Sequence, residues 1–186
     1  MKKISIIIAF ATLLGLVSCG MSARTYSDSL ALMNNVWDGY KSDERFSAIG
    51  GDSGTAARDM PARYTLTDRE SREKDLMLPS AFSFAVSDIS CIKRDDGNGQ
   101  LTAAAYYIDN AENIGVTAAA VRSQLMRTGI AEMPEKFVAV AVGDRYLLTA
   151  YGNESDINVF LTKSLSGLDG AVILYDESLT PVVSNA

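Results

Sequence analysis

Apolar side chains recur with two different periods along the chain, and the period predicts which segments are helices and which are strands. Over residues 30–40 they return every three or four positions, which indicates a short amphipathic helix capped by Ser27 or Asp28, with Trp37 in a core. Segment 42–65 shows neither period and is rich in glycine, serine and aspartate. We therefore expect a loop of low order there.

A second helix is predicted from its capping pattern. Thr67 followed by Glu70 has the spacing of a capping box, in which two side chains satisfy the free N–H groups of the first turn. Strong helix formers fill residues 68–77, and Pro79 ends the run. The charges of this helix are expected to face solvent.

Two hairpins and two more helices account for the rest of the chain. Residues 81–93 alternate in hydrophobicity and change phase at Ser87 and Asp88, which predicts a bulged strand. The turn-forming run 95–99 leads into a returning strand, and Gly143-Asp144 joins a second pair of strands. The other predicted elements are strands at 101–108, 137–142, 145–151 and 171–175, the last of them buried, a helix at 115–128 and a helix capped by Ser155.

The order of these elements predicts the fold class. A strand-strand-helix unit occurs twice and a single strand closes the series, which gives the order ββαββαβ after two N-terminal helices. We expect an α+β domain with a largely antiparallel five-stranded sheet and helices packed on one face. Val138 and Val140 should then meet Phe160 and Leu161 where the second hairpin contacts the last helix.

The N-terminus has the layout of an export signal. Lys2 and Lys3 precede an apolar run that contains no acidic residue and is shorter than the ~20 residues of a membrane-spanning helix. Its end, Leu16-Val17-Ser18-Cys19, resembles the lipobox of bacterial lipoproteins. That resemblance covers the signal only and implies cleavage before Cys19, which then carries fatty-acyl chains such as palmitate. The alternative is an ordinary secretory signal with a cysteine there by chance.

The same resemblance predicts where the protein resides. In enterobacterial lipoproteins an aspartate after the lipidated cysteine marks retention in the inner membrane, and here Gly20 follows it. We expect a lipid-anchored protein of the cell envelope, at the outer membrane facing the periplasm rather than at the inner membrane or the cell surface. The predicted organisation is a cleaved signal peptide (1–18), a lipidated tether (19–29), an N-terminal helical and loop region (30–80), an α+β core (81–176) and a C-terminal tail (177–186).

The charge of the chain limits its partners. Once Lys2 and Lys3 leave with the signal, 15 basic and 23 acidic residues remain, so the formal charge is −8. A net-acidic surface repels nucleic-acid phosphates and anionic lipid headgroups. We expect no nucleic acid as a partner, attachment to the membrane through the lipid, and another envelope protein as the partner.

The absence of histidine restricts the chemistry. Without imidazole the chain lacks the usual base of a Ser-His or Cys-His pair and the commonest metal ligand. If Cys19 is lipidated, Cys91 is left without a disulfide partner, and its apolar strand predicts a buried core residue, with a reactive thiol as the alternative. We therefore assign no catalytic, cofactor-binding or metal-binding residue.

Two motif matches are interpreted as chance. Gly51-Asp52-Ser53-Gly54 has the letters that surround a trypsin-like nucleophile, but no histidine is present to take the proton of Ser53. The run Asp96–Gly99 resembles the middle of an EF-hand calcium loop. Arg94 and Ala105 stand at its ligating ends, so a hairpin turn explains the run better.

Three functions remain open from the sequence. The first is a non-catalytic adaptor or accessory lipoprotein, which a flat exposed apolar patch would favour. The second is a binding module for a small or lipidic ligand between sheet and helices, where the small side chains of Ala103–Ala105 and Ala118–Ala120 leave room. The third is an enzyme that uses carboxylates alone, which would need two of them converging in a cleft.

Overall fold

The computed structural model describes residues 25–127 and 133–179. The helices in these ranges are α1 (Ser29–Asp38), α2 (Arg69–Leu76), α3 (Asn113–Arg127) and α4 (Glu154–Gly167), and a 3-10 helix spans Ser80–Ala85. The strands are β1 (Ala48–Gly50), β2 (Ala57–Arg58), β3 (Ala62–Arg63), β4 (Val86–Arg94), β5 (Leu101–Ile108), β6 (Lys136–Val142), β7 (Tyr146–Gly152) and β8 (Ala171–Ser178).

All strand pairs in the described residues are antiparallel and belong to one open sheet. The strand order is β2-β1-β4-β5-β7-β6-β8, and β3 also pairs with β4. The predicted α+β class and antiparallel sheet are thus confirmed. The predicted five strands and their order differ in detail, because segment 42–65 forms three short strands where a loop is predicted, and a 3-10 helix precedes β4. Strands of two or three residues are too short to show a period.

Helices cover both faces of this sheet, whereas the sequence predicts them on one face. Helices α1 and α4 pack on the face that carries Val138 and Val140. Helices α2 and α3 pack on the opposite face, which carries Phe137 and Ala139. The prediction was wrong because strand β6 is apolar at every position of its middle part, and a strand of that kind needs cover on both sides.

Two predicted helix caps are shifted along the chain. Helix α2 is capped by Asp68, whose carboxylate accepts the N–H of Ser71 at 2.8 Å, and not by Thr67. Helix α4 has Asn153 as its N-cap, so Ser155 lies in the first turn. Several neighbouring polar residues can cap a helix, and sequence alone does not choose between them.

Strand β4 begins later than predicted. The backbone N–H of Phe82 donates to the carbonyl of Pro79 at 2.9 Å, which starts the 3-10 helix in place of an extended strand. The predicted bulge is confirmed, because the register between β4 and β5 shifts between Val86 and Asp88.

The predicted core contact with the last helix is confirmed. Val138 and Val140 have no exposed surface, and they belong to the same buried cluster as Phe160 and Leu161. Trp37 of α1 is only 5% exposed and joins this cluster. Helix α1 therefore completes the core that α4 forms with the sheet.

The last strand departs furthest from the prediction. The sequence predicts a buried strand over 171–175, but β8 runs to Ser178 and is the outermost strand, beside β6. Val172 is 58% exposed and Ile173 is 43% exposed. The prediction was wrong because a short apolar run looks the same in a central and in an edge strand, and only the strand order distinguishes them.

Candidate functional site

The predicted lipidation site, Cys19, lies outside the described residues. The described chain begins at Thr25, which an extended chain places within roughly 20 Å of residue 19. Tyr26 is fixed to the domain, because the hydroxyl of Tyr146 donates to its carbonyl at 2.9 Å. Tyr26 therefore lies beside the end of the sheet where β7 begins.

The free edge of β8 is a candidate interaction surface. Strand β8 pairs with β6 on one side, and no described strand lies on its other side. Val172 and Ile173 are paired with neighbouring residues of β6, so they lie on opposite faces of the sheet. An unpaired apolar edge of this kind is a template for pairing with another chain.

Ion pairs hold the second half of β8 in place. Asp176 accepts from Lys136 at 2.7 Å, and Glu177 accepts from Arg122 at 2.5 Å. Both carboxylates remain more than a third exposed. The edge therefore combines a fixed backbone with an apolar first half and an acidic second half.

The Gly51–Gly54 segment is a structural loop. Asp52 is 6% exposed, and its carboxylate accepts the N–H of Gly54 at 2.8 Å and both the N–H and the hydroxyl of Thr65. Burial raises the pKa of Asp52, but the hydrogen bonds outweigh burial and lower it to about 2. Ser53 is exposed beside it. The segment thus carries a buried anion that fixes the loop.

Cys91 is the buried core residue that the sequence predicts. It has no exposed surface, and its thiol donates to the carbonyl of Gly51 at 3.4 Å. Burial raises the pKa of Cys91 to about 11. The thiol is therefore protonated at neutral pH and sealed from solvent, which argues against the alternative of a reactive cysteine.

Two carboxylates converge at the end of the first hairpin, but an arginine lies between them. The guanidinium of Arg94 donates to Asp96 at 2.8 Å and to Asp156 at 2.7 Å, and it lies 5.1 Å from the ring centre of Phe46. The hydrogen bond from Arg94 lowers the pKa of Asp96. The cluster ties the predicted hairpin turn 95–99 to helix α4.

The room predicted between sheet and helices is filled by packing. Ala103, Ala104 and Ala105 are at most 2% exposed, and Ala118 has no exposed surface. A small gap beneath Phe160 holds no volume large enough for a water molecule. The small side chains thus bring helix and sheet into close contact.

An open groove of about 460 Å³ lies outside this layer, between the 3-10 helix and α3. Its lining includes Phe82, Val116, Ala119 and Ala120, and Val116 is 50% exposed. Part of the predicted small-residue stretch therefore faces a groove at the surface rather than the core.

Within residues 25–127 and 133–179, no three cysteine, aspartate or glutamate side chains are arranged to hold a metal ion. Over the same part of the chain, none of the helices combines the length and the apolar character that a bilayer span requires. No protein-family model matches this chain, and no curated protein and no solved structure is significantly similar to it.

Proposed function

We propose that this protein is an exported lipoprotein of the cell envelope, anchored through Cys19 at the outer membrane, and that it acts as a non-catalytic adaptor for another envelope protein. The observation that carries the proposal is the exposed apolar edge of β8, where Val172 and Ile173 are 58% and 43% exposed. Strand addition at such an edge gives affinity through main-chain hydrogen bonds and requires neither a pocket nor a catalytic group.

The orientation of β8 supports this role. Ala171, at the start of β8, pairs with Val142, which in turn pairs with Tyr146, the residue bonded to Tyr26. Strand β8 therefore starts at the end of the sheet nearest the tether and runs away from it. A domain anchored through that tether would hold the start of this edge near the membrane and extend the rest of it away from the membrane, where a neighbouring protein can reach it.

A specific observation favours a second candidate function, a module that binds a small or lipidic ligand. The groove beside α3 has a volume within the range of small-molecule sites, and Phe82 and Val116 give it apolar walls. It is open to solvent along its length and is lined by Arg127 as well, so it suits an amphiphile better than an enclosed apolar ligand.

Site-specific photo-crosslinking in living cells distinguishes the two functions. A photoreactive side chain is placed at Val172, and in a matched variant at Val116, which is similarly exposed but lies on α3. The adaptor function predicts one discrete protein adduct from Val172, lost when Ile173→Lys is added, and no protein adduct from Val116. If the photoreactive side chain formed adducts at Val116 and none at Val172, the result would contradict the adaptor function and favour the ligand-binding function.

The anchor is tested separately. Cys19→Ser should abolish incorporation of labelled fatty acid and leave an unprocessed precursor, whereas Cys91→Ser should be labelled like the parent protein. Unchanged labelling of Cys19→Ser would refute the lipoprotein assignment. It would not affect the crosslinking test of the adaptor function.

A further inference from the structure

The edge of β8 has a distinct chemical layout along its length. Val172 and Ile173 form an exposed apolar stretch on both faces of the strand. Exposed Asp169 precedes this stretch, and Asp176 and Glu177 follow it with side chains 40% and 35% exposed. A chain that pairs with β8 therefore meets an apolar stretch with one carboxylate in the loop before it and two carboxylates after it.

Backbone groups are also available for pairing. The N–H of Leu179 donates to the carbonyl of Glu135, so residue 179 points towards β6. Because successive residues of an antiparallel strand alternate in direction, Asp176 and Ser178 point their N–H and C=O groups away from β6. No described strand accepts those groups.

We propose that β8 receives one extended strand of a partner protein, with an apolar centre and basic residues at its ends. This inference rests on the adaptor function proposed above and specifies its partner. Lysine or arginine at the ends of the incoming strand would face Asp169 on one side and the pair Asp176 and Glu177 on the other. Charge complementarity then sets which strand binds and in which position.

A second copy of this chain fits the same edge less well. In an antiparallel pair of two β8 strands centred between Ile173 and Leu174, Asp176 of each copy would lie opposite Ala171 of the other. Asp176 and Glu177 of both copies would then crowd along the paired edges, with Asp169 in the adjoining loop of each copy, and Lys136 and Arg122 would neutralise only part of this charge. The whole chain has a formal charge of −6, which adds to the repulsion.

The bulge in β8 favours a selective partner over general strand addition. The register with β6 shifts between Ala139 and Val140, which leaves Leu174 as the extra residue. A bulge on an edge strand twists the edge and hinders indiscriminate pairing. The bulge weakens backbone pairing with any incoming strand. Ion pairs with the acidic residues next to the apolar stretch of β8 can compensate for this loss only if the incoming strand carries basic residues at the matching positions.

The test measures fluorescence anisotropy of labelled peptides with the purified lipidated protein in detergent. One peptide has alternating valine and threonine flanked by lysines, a second has the same centre flanked by glutamates, and a third has the lysines but prolines in the centre. We expect the first to bind at least about tenfold more tightly than either of the others, and to weaken as salt is raised.

Protein variants assign this binding to β8. Ile173→Lys should weaken the lysine-flanked peptide on the order of tenfold, and Val116→Lys, the same change at an exposed apolar position of α3, should leave it unchanged. Asp169→Lys should weaken the lysine-flanked peptide and strengthen the glutamate-flanked one. This variant keeps the inference testable even if Ile173→Lys does not fold.

Three results would overturn the inference. The first is equal binding of the lysine-flanked and glutamate-flanked peptides, and the second is binding that Asp169→Lys leaves unchanged. The third is a dimer of the protein alone in sedimentation velocity that Ile173→Lys abolishes, because the occupant would then be a second copy. Each of these leaves the crosslinking test of the adaptor function intact, so the two proposals fail separately.

Discussion

Replacing Asp52 by asparagine should destabilise the domain although it changes one atom of a surface loop. The carboxylate of Asp52 accepts hydrogen bonds from Gly54, Thr65 and Leu66, and the residue is 6% exposed. An asparagine of the same shape carries an NH₂ group where one carboxylate oxygen stood. It would face backbone N–H donors, which then lose their acceptor.

The magnitude follows from the pKa of Asp52, which is about 2 against an ordinary value of 3.8. Each pKa unit corresponds to about 1.4 kcal/mol, so the ionised carboxylate contributes about 2–3 kcal/mol to the free energy of unfolding. A pKa lowered in the folded state means that this contribution is complete above the unfolded value near pH 4. It is lost as the pH falls from there towards 2.

Urea denaturation of the purified protein, followed by tryptophan fluorescence, measures the effect. At pH 7 we expect the free energy of unfolding of Asp52→Asn to be about 2–3 kcal/mol lower than that of the parent protein. Near pH 3 this difference should shrink by about half. Ser53→Ala, its exposed neighbour, should change the stability by less than about 0.5 kcal/mol. A difference that is absent at pH 7, or that does not shrink in acid, would refute this account of the loop.

The other predictions concern the core and the buried charges. Phe160→Ala should cost about 3–5 kcal/mol in the same assay, and the partly exposed Val159→Ala much less, because only Phe160 leaves a cavity in the core. Cys91 should react with a thiol reagent only as fast as the protein unfolds, as mass spectrometry would show, since burial raises its pKa to about 11. Arg94→Gln should destabilise the domain clearly more than Arg69→Gln, because it removes the cation from Asp96 and Asp156, whose side chains are 19% and 14% exposed, whereas the side chain of Arg69 is 74% exposed.

Features with local causes could be predicted from the sequence. Asp28 caps α1 by accepting the N–H of Ala31, and such a cap needs only residues adjacent in the chain. The turn between β6 and β7 lies where Gly143-Asp144 predicts it, and Gly143 adopts a positive φ of 59° that glycine allows, although the loop spans the three residues 143–145 and not the two predicted. The bulge near Asp88 appears in the sequence as a change of phase, because an extra residue shifts every later side chain to the other face.

Features with tertiary causes could not be predicted in this way. Strands β1, β2 and β3 exist because they pair with β4 or with each other, and none is long enough to show a period. At Gly50 a Cβ atom would collide with the backbone of Met60 and Ala62, so this glycine permits a close approach of two chain segments. Nothing in the neighbouring letters distinguishes it from a glycine in a flexible loop.

The candidate interaction surface is also a feature with a tertiary cause, and a further reason explains why the sequence does not predict it. Strand addition is made by backbone groups, which every residue except proline supplies, so it leaves no pattern of catalytic or ligating side chains in the sequence. What the edge does require is exposure of Val172 and Ile173, and exposure depends on β8 being outermost in the sheet. Asp176 and Glu177 are ordinary surface acids in the sequence. Only the strand order places these two residues on a strand with a free edge.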